Sequence, residues 1–320
     1  MMKNVLVTGG CGFIGSNFIR HMLEKHPNIN ILNLDKLTYA GNPDNLRDLE
    51  DHPCYGFVRG DICDASIVNN VMKNVDTVVH FAAESHVDRS ILDGDAFVTT
   101  NVLGTHTLLK AALEHKIKRF IHVSTDEVYG SIMQGSFKET DILEPSSPYS
   151  ASKAGSDLLA LAYHNTYKLP VIVTRCTNNY GPYQFPEKLI PLFVTNLMQG
   201  KRVPVYGTGK NIRDWLYVLD HCSAIDFILQ NGTDGEIYNI GGGEEKTNLE
   251  ITRMILRLLE KDESMIEYVR DRPGHDFRYS LDISKLKRLG WSPSYRFEDA
   301  LEATVKWYVD NRWWWEKLKR

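Results

Sequence analysis

The sequence predicts a doubly wound α/β fold, a parallel sheet covered on both faces by helices, followed by a smaller mixed α/β C-terminal lobe. Three observations carry the prediction. Short continuous apolar runs alternate with amphipathic stretches through the first half of the chain. A glycine-rich turn joins the first run to the first helix. After about residue 175 the alternation gives way to chain richer in glycine, proline and aromatics. Continuous apolar strands separated by helices are buried on both faces, which is the habit of parallel sheets.

Taken in order, strands are expected at residues 5–8, 29–34, 55–58, 77–81, 120–124 and 171–174, and helices at 13–24, 65–73, 96–114 and 150–167. The last helix follows Pro148 and runs through Ala151, Ala154, Leu158, Leu159, Leu161 and Ala162. Residues 1–175 form a first domain, completed by parts of 213–241, and 176–320 a second lobe, with a site between them. Within that lobe Thr247-Asn248-Leu249-Glu250 reads as a capping box opening a helix over 251–259. A terminal helix over 297–318 carries Trp307, Trp313, Trp314 and Trp315, expected to pack against its own domain.

Bulk properties exclude several classes. With 320 residues, 42% hydrophobic and 24% charged, the chain can bury a large core. A net charge of −4 without a strong basic cluster gives no reason to expect nucleic acid. No apolar run approaches the roughly 20 residues of a membrane span, and the N-terminus enters a buried strand rather than a signal peptide. Five cysteines, odd in number and with no Cys-x-x-Cys pair, suit reduced thiols in the cytoplasm. Metal-ligand spacing is absent, so no metal is expected.

Gly9-Gly10-Cys11-Gly12-Phe13-Ile14-Gly15 lies between the first strand and the first helix. Glycines there let the backbone approach a diphosphate, whose charge the helix N-terminus favours. The spacing departs from the commonest dinucleotide fingerprint, but Asp35 ends the second strand 20 residues after Gly15, where an acid takes a ribose diol. A carboxylate there repels a 2′-phosphate, so NAD is expected over NADP. Asp61 and Ile62 follow the third strand, and Phe81, Ala82 and Ala83 the fourth.

The chemistry is concentrated in Ser124-Thr125-Asp126-Glu127-Val128-Tyr129 and Tyr149-Ser150-Ala151-Ser152-Lys153. A tyrosine four residues before a lysine is weak by itself: 15 Tyr and 20 Lys in 320 residues give about one such pair by chance. Tyr206 and Lys210 are a second copy, broken by two glycines. Tyr149 and Lys153 instead share one helix face, where the ammonium is expected to lower the phenol's pKa. Hydroxyl, phenol and ammonium suit hydride transfer, and the two adjacent acids point to elimination of water as well.

With Asp35-Lys36-Leu37-Thr38-Tyr39-Ala40-Gly41-Asn42, Ala82-Ala83-Glu84-Ser85-His86-Val87-Asp88 and Thr125-Asp126-Glu127, the chain resembles the extended short-chain dehydrogenase/reductase family. Within it the chain is similar to the dTDP-glucose 4,6-dehydratases. Asn178-Asn179-Tyr180-Gly181-Pro182, Glu187-Lys188-Leu189-Ile190-Pro191, Asn211-Ile212-Arg213-Asp214-Trp215 and Asp271-Arg272-Pro273-Gly274-His275-Asp276 extend the resemblance over essentially the whole chain.

The resemblance implies a Rossmann sheet binding NAD through Gly9, Gly12, Phe13, Ile14, Gly15, Asp35, Lys36, Leu37, Thr38, Asp61, Ile62, Phe81, Ala82, Ala83, Glu84, Ser85, Thr100, Tyr149, Lys153 and Asn179. It implies dTDP-glucose contacts at Ser85, Thr125, Asn178, Lys188, Leu189, Pro204, Val205, Tyr206, Arg213, Asn248, Arg272 and His275. Thr125, Asp126, Glu127, Tyr149 and Lys153 would be catalytic. They would oxidise C4, eliminate water across C5 and C6 and return the hydride to C6, so that tightly held NAD is regenerated each cycle. A homodimer joined by a four-helix bundle also follows from the resemblance. The alternatives are a dehydratase or epimerase of a UDP-, CDP- or GDP-hexose, or a non-catalytic NAD-binding sensor.

Overall fold

The computed structural model describes residues 2–271 and 276–319. Its strands are β1 Asn4–Thr8, β2 Asn30–Asp35, β3 Tyr55–Arg59, β4 Thr77–His80, β5 Arg119–Thr125, β6 Val171–Cys176, β7 Asn178–Tyr180, β8 Val203–Tyr206, β9 Ile212–Tyr217, β10 Ile237–Ile240, β11 Glu245–Thr247 and β12 Ile266–Val269. Seven of them form one parallel sheet in the order β10-β6-β5-β4-β1-β2-β3. The order reverses at β1, which pairs with β2 on one side and β4 on the other. Crossovers leave in opposite directions there, opening a crevice at the carboxyl ends of the strands.

Helices α1 Phe13–Lys25, α2 Ala65–Met72, α3 Val87–Leu92, α4 Asp95–Phe97, α5 Thr105–Glu114 and α6 Pro148–Tyr167 make the crossovers. One face of the sheet packs Phe18, Ile19 and Met22 of α1 against Ile225 and Ile228 of α8 Val218–Asn231, which follows α7 Leu189–Met198. The other face buries Val68, Met72, Leu108, Leu109 and Phe120. These side chains are almost wholly withdrawn from water, each worth roughly 1.5–3 kcal/mol of burial.

The second half adds a small β11-β9-β7 sheet and the parallel pair β12-β8, with helices α9 Asn248–Leu258, α10 Ser284–Leu289, α11 Phe297–Asp310 and α12 Arg312–Trp315. The predicted capping box is present: Thr247 Oγ1 accepts from Glu250 N at 3.1 Å, and Glu250 Oε2 accepts from Thr247 N at 2.7 Å.

Two predicted helices differ in form. The stretch expected as one α-helix over 96–114 widens into a π-helix at Val98–Gly104. Within it the Asn101 carboxamide accepts from Glu84 N at 2.9 Å and donates to Glu84 O at 3.0 Å and to Ser152 Oγ at 2.8 Å. This ties the widened turns to the chain after β4 and to α6, a local departure of the kind found at functional sites. The terminal helix breaks at Asn311, whose backbone leaves helical geometry at φ −110° and ψ 42°. Asn311 O accepts from Trp314 N and its side chain donates to Trp307 O, the local competition for backbone partners typical of asparagine. The tail therefore folds back and reaches Asn45 in the first half of the chain, rather than packing only within its own lobe.

Beneath the carboxyl end of the sheet lies a buried ion pair, Arg175 Nε to Asp157 Oδ2 at 2.9 Å, with His122 Nε2 3.2 Å from the other carboxylate oxygen. Removing one partner strands a buried charge. Arg175→Met is expected to cost about 3–5 kcal/mol, seen as a lower urea midpoint at unchanged slope. The double change Arg175→Met, Asp157→Leu should recover most of it; an unchanged midpoint in the single variant would contradict the pairing.

Candidate active site

A cavity of about 320 Å³ opens at the crevice between the carboxyl ends of β1 and β4. At one end stands the glycine loop. Gly9 has φ +71°, and a Cβ there would fall 2.6 Å from Ala82 N; a Cβ on Gly15 would fall 2.4 Å from Gly9 O. Side chains are thus excluded where α1 begins, and Gly12 supplies no side-chain cap to its first turn. The first-turn amides are left to a ligand.

Asp35, at the end of β2, accepts from Leu37 N at 2.8 Å on one oxygen and from Cys11 N at 2.8 Å on the other. Burial pushes its pKa up while these amides draw it back. Lys36 turns away to Asp61 at 2.7 Å. Leu37 (φ +58°) is the one predicted cofactor residue outside the lining; it acts on the site through its amide.

The other end holds the chemistry. β5 finishes at Thr125, whose Oγ1 caps the following 3₁₀ turn by accepting from Glu127 N at 3.2 Å and also bonds Asp126 Oδ1 at 3.2 Å. Asp126 is buried, and its carboxyl is held well above the usual range, first by burial and then by the charge of Glu127. Tyr149 enters from the first turn of α6, fixed by Pro148 and the Ser147–Ser150 capping box. One turn later Lys153, fully buried, donates to Val123 O at 2.8 Å. Burial lowers its pKa to about 8, against the opposing charge of Asp157.

The phenol does not follow the sequence expectation. Its pKa is raised, first by burial and next by Glu127, with only the hydrogen bond from Thr125 drawing it down. Lys153 donates to the Val123 carbonyl instead, so spacing on one face did not establish the electrostatics.

Of the predicted substrate residues, Ser85, Thr125, Asn178 and Lys188 line the cavity, and Lys188 Nζ donates to Ser85 O at 3.2 Å. Leu189, Pro204, Val205, Tyr206, Arg213 and Asn248 lie outside that lining. Val205 is in the core and Arg213 is buried over the Tyr279 ring, donating to Ile212 O and Asp276 O at 2.7 and 2.9 Å. Arg272 and His275 lie outside the described residues. The lining also holds Tyr39, Ser124, Cys176, Gln184 and Glu187, which sequence reasoning did not assign. Tyr39 donates to Glu187 at 3.0 Å beneath the Arg89 guanidinium, 3.6 Å from its ring centre. Tyr39 and Glu187 sit inside quoted motifs, and that adjacency was the available signal.

Buried Ser124 Oγ, Asp126 Oδ2, Asn178 Oδ1 and Gln184 Oε1 line the cavity without a protein partner. Such atoms call for ligand partners. Together with the glycine cradle and Asp35 they fit a dinucleotide with a polar substrate beside it.

Burying Lys153 carries a testable cost. Its folded pKa lies below its unfolded value, so the unfolded chain binds more protons between about pH 8 and pH 10.5, and wild-type stability rises with pH across that window. Lys153→Met should raise the denaturation midpoint at pH 7 by roughly 2 kcal/mol equivalent. The gain should shrink as pH climbs through the window; a destabilised or pH-independent variant would contradict it.

The profile of the family described as GDP-mannose 4,6 dehydratase matches residues 6–304. The dTDP-glucose 4,6-dehydratase of Streptomyces niveus is 56% identical, covering 98% of this chain and 95% of the relative. A Streptomyces venezuelae dTDP-glucose 4,6-dehydratase, solved with NAD bound, superposes with TM-score 0.97 at 55% identity, over 98% of this chain and 99% of that one. A UDP-glucose 4-epimerase from Thermotoga maritima keeps the architecture (TM-score 0.90, covering 97% of this chain and 99% of that one) at 29% identity. The chain belongs to the GDP-mannose 4,6-dehydratase family, within the extended short-chain dehydrogenases/reductases.

Proposed function

We propose that the protein is an NAD-dependent hydro-lyase converting dTDP-glucose to dTDP-4-keto-6-deoxyglucose. One observation carries the reading: Asp126, buried and pushed toward its neutral form, stands next to Glu127 in the same cavity as Tyr149 and Lys153. An epimerase has no use for that acid pair. Relatives at 54–56% identity bearing the dehydratase name support the same substrate.

The Gly9, Gly12, Phe13, Ile14 and Gly15 loop would hold the diphosphate of NAD and Asp35 a ribose, with Lys36, Thr38, Asp61 and Ile62 flanking that end. When bound, it supplies the hydride acceptor at C4 and the donor at C6, and a positive ring charge that offsets the burial holding the Tyr149 proton. Tyr149 takes the C4 hydroxyl proton, with Thr125 drawing the phenol toward its phenolate and orienting the hydroxyl, and Lys153 anchored one turn along the helix on Val123 O. The new ketone acidifies C5, whose proton goes to Glu127. Asp126 protonates the departing C6 hydroxyl, releasing water and leaving a C5–C6 double bond. Glu127 returns its proton to C5 as C6 is reduced. Thr125 bonds both Asp126 and Tyr149, giving the proton taken at C4 a route back to Asp126. The cycle closes with no net redox change, so NAD has no need to leave.

The larger domain, residues 1–175 completed from 213–241, would hold the cofactor, and 176–320 the nucleotide sugar. A homodimer through a four-helix bundle is supported by exposed Val98, Leu103 and Leu158 on the helical stretches 98–114 and 148–167. Cytoplasmic residence accords with free cysteines; among the described residues no helix is long and apolar enough to cross a membrane.

Incubation of purified protein with dTDP-glucose and no added cofactor should yield the 4-keto-6-deoxy product without net NADH; activity only on a UDP-, CDP- or GDP-hexose would sink the base assignment. Tyr149→Phe should lower turnover by about 10²–10⁴-fold. Glu127→Gln should accumulate reduced nicotinamide absorbance without elimination, and normal product formation would remove it as the C5 base.

A further inference from the structure

We infer that the C-terminal tail anchors the ribose end of the cofactor site, acting through Asn45 on the peptide of Cys11 and so on Asp35. The inference rests on the NAD reading above. Trp314 Nε1 donates to Asn45 Oδ1 at 2.8 Å, Asn45 Nδ2 donates to Cys11 O at 2.9 Å, and Cys11 N donates to Asp35 Oδ2 at 2.8 Å. All four residues are buried, although Trp314 stands 269 positions from Asn45.

The direction of each bond is forced. An indole N–H can only donate and a backbone carbonyl can only accept, so the Asn45 carboxamide has one orientation that satisfies both neighbours. Trp314 therefore selects the amide face that holds Cys11. The Cys11 carbonyl accepts a second bond, from Asn42 N at 2.9 Å, which closes the loop after β2 onto the glycine turn. Arg20 clamps the Asn45 carbonyl from α1, and Trp314 is itself wedged edge-on against Trp307 and Tyr183. Without the indole N–H, Asn45 Oδ1 is buried and unpaired, which favours reorientation of the amide and release of Cys11. The Asp35 carboxylate then loses the contact that aims it at a ribose diol. Trp314 touches no reacting atom, so it is a positioning residue.

Trp314→Phe keeps the aromatic packing and deletes the donor; Asn45→Asp keeps the acceptor for Trp314 and deletes the donor to Cys11. Nucleotide released from purified protein on denaturation, the Kd for NAD and the preference for NAD over NADP would be measured for both, with the exposed-side variant Trp313→Phe as control. Both variants should retain less NAD, bind it about tenfold more weakly and discriminate less against NADP. Turnover at saturating NAD and the KM for dTDP-glucose should stay within about twofold, and Trp313→Phe should match wild type. Undiminished NAD content and preference in both variants, or lost turnover at full NAD occupancy, would overturn the anchor while leaving the dehydratase reading standing. Wild-type protein that neither carries nor binds NAD would overturn the cofactor reading and the anchor with it.

Discussion

Burial of ionisable side chains at the carboxyl end of the parallel sheet is the constraint on which this site depends. Asp126, Tyr149 and Lys153 are each withdrawn from water, and each is pushed toward its neutral form. For Lys153 the move from 10.5 to about 8 corresponds to roughly 3 kcal/mol, several times what a surface ion pair contributes. Asp157, equally buried one turn below, goes the other way, because His122, Arg175 and Lys153 together outweigh its desolvation. The same depth thus pushes one acid toward its protonated form and the other toward its carboxylate, decided by neighbours.

The fold arranges those neighbours economically. Strand order reverses at β1, so the glycine loop, Asp35 and the turn after β5 converge on one crevice. Helix α6 sends Tyr149 and Lys153 into the cavity and Asp157 beneath it, while the π-helical turns before α5 bring Thr100 to the lining. The second half of the chain contributes β10 to the sheet and Asn178, Asn179 and Lys188 to the cleft. The tail returns to brace the first lobe through Asn45.

Much of this was legible in the sequence wherever the signal is local. Continuous apolar runs mark β1 and β4 to β6 because strands of a covered parallel sheet are buried on both faces. Gly9 and Gly15 announce a loop that side chains cannot enter, and Thr125-Asp126-Glu127 with Tyr149 and Lys153 name the chemistry. What escaped is non-local. Strands β7, β8, β10, β11 and β12 are three or four residues long and find partners far away in sequence. The break at Asn311 depends on where the tail packs. The raised pKa of Tyr149 could not be read from its spacing to Lys153, because burial and the approach of Glu127 exist only in the folded chain.

The central claim is that burial, ahead of the neighbouring charge of Glu127, pushes Asp126 toward its protonated form. Infrared spectroscopy of the protonated-carboxyl carbonyl band, in wild type, Asp126→Asn and Glu127→Gln, tests it most directly. The account predicts a band at pH 7 that is lost in Asp126→Asn, and that persists in Glu127→Gln. No such band in wild type, or a band lost with Glu127 alone, would contradict it.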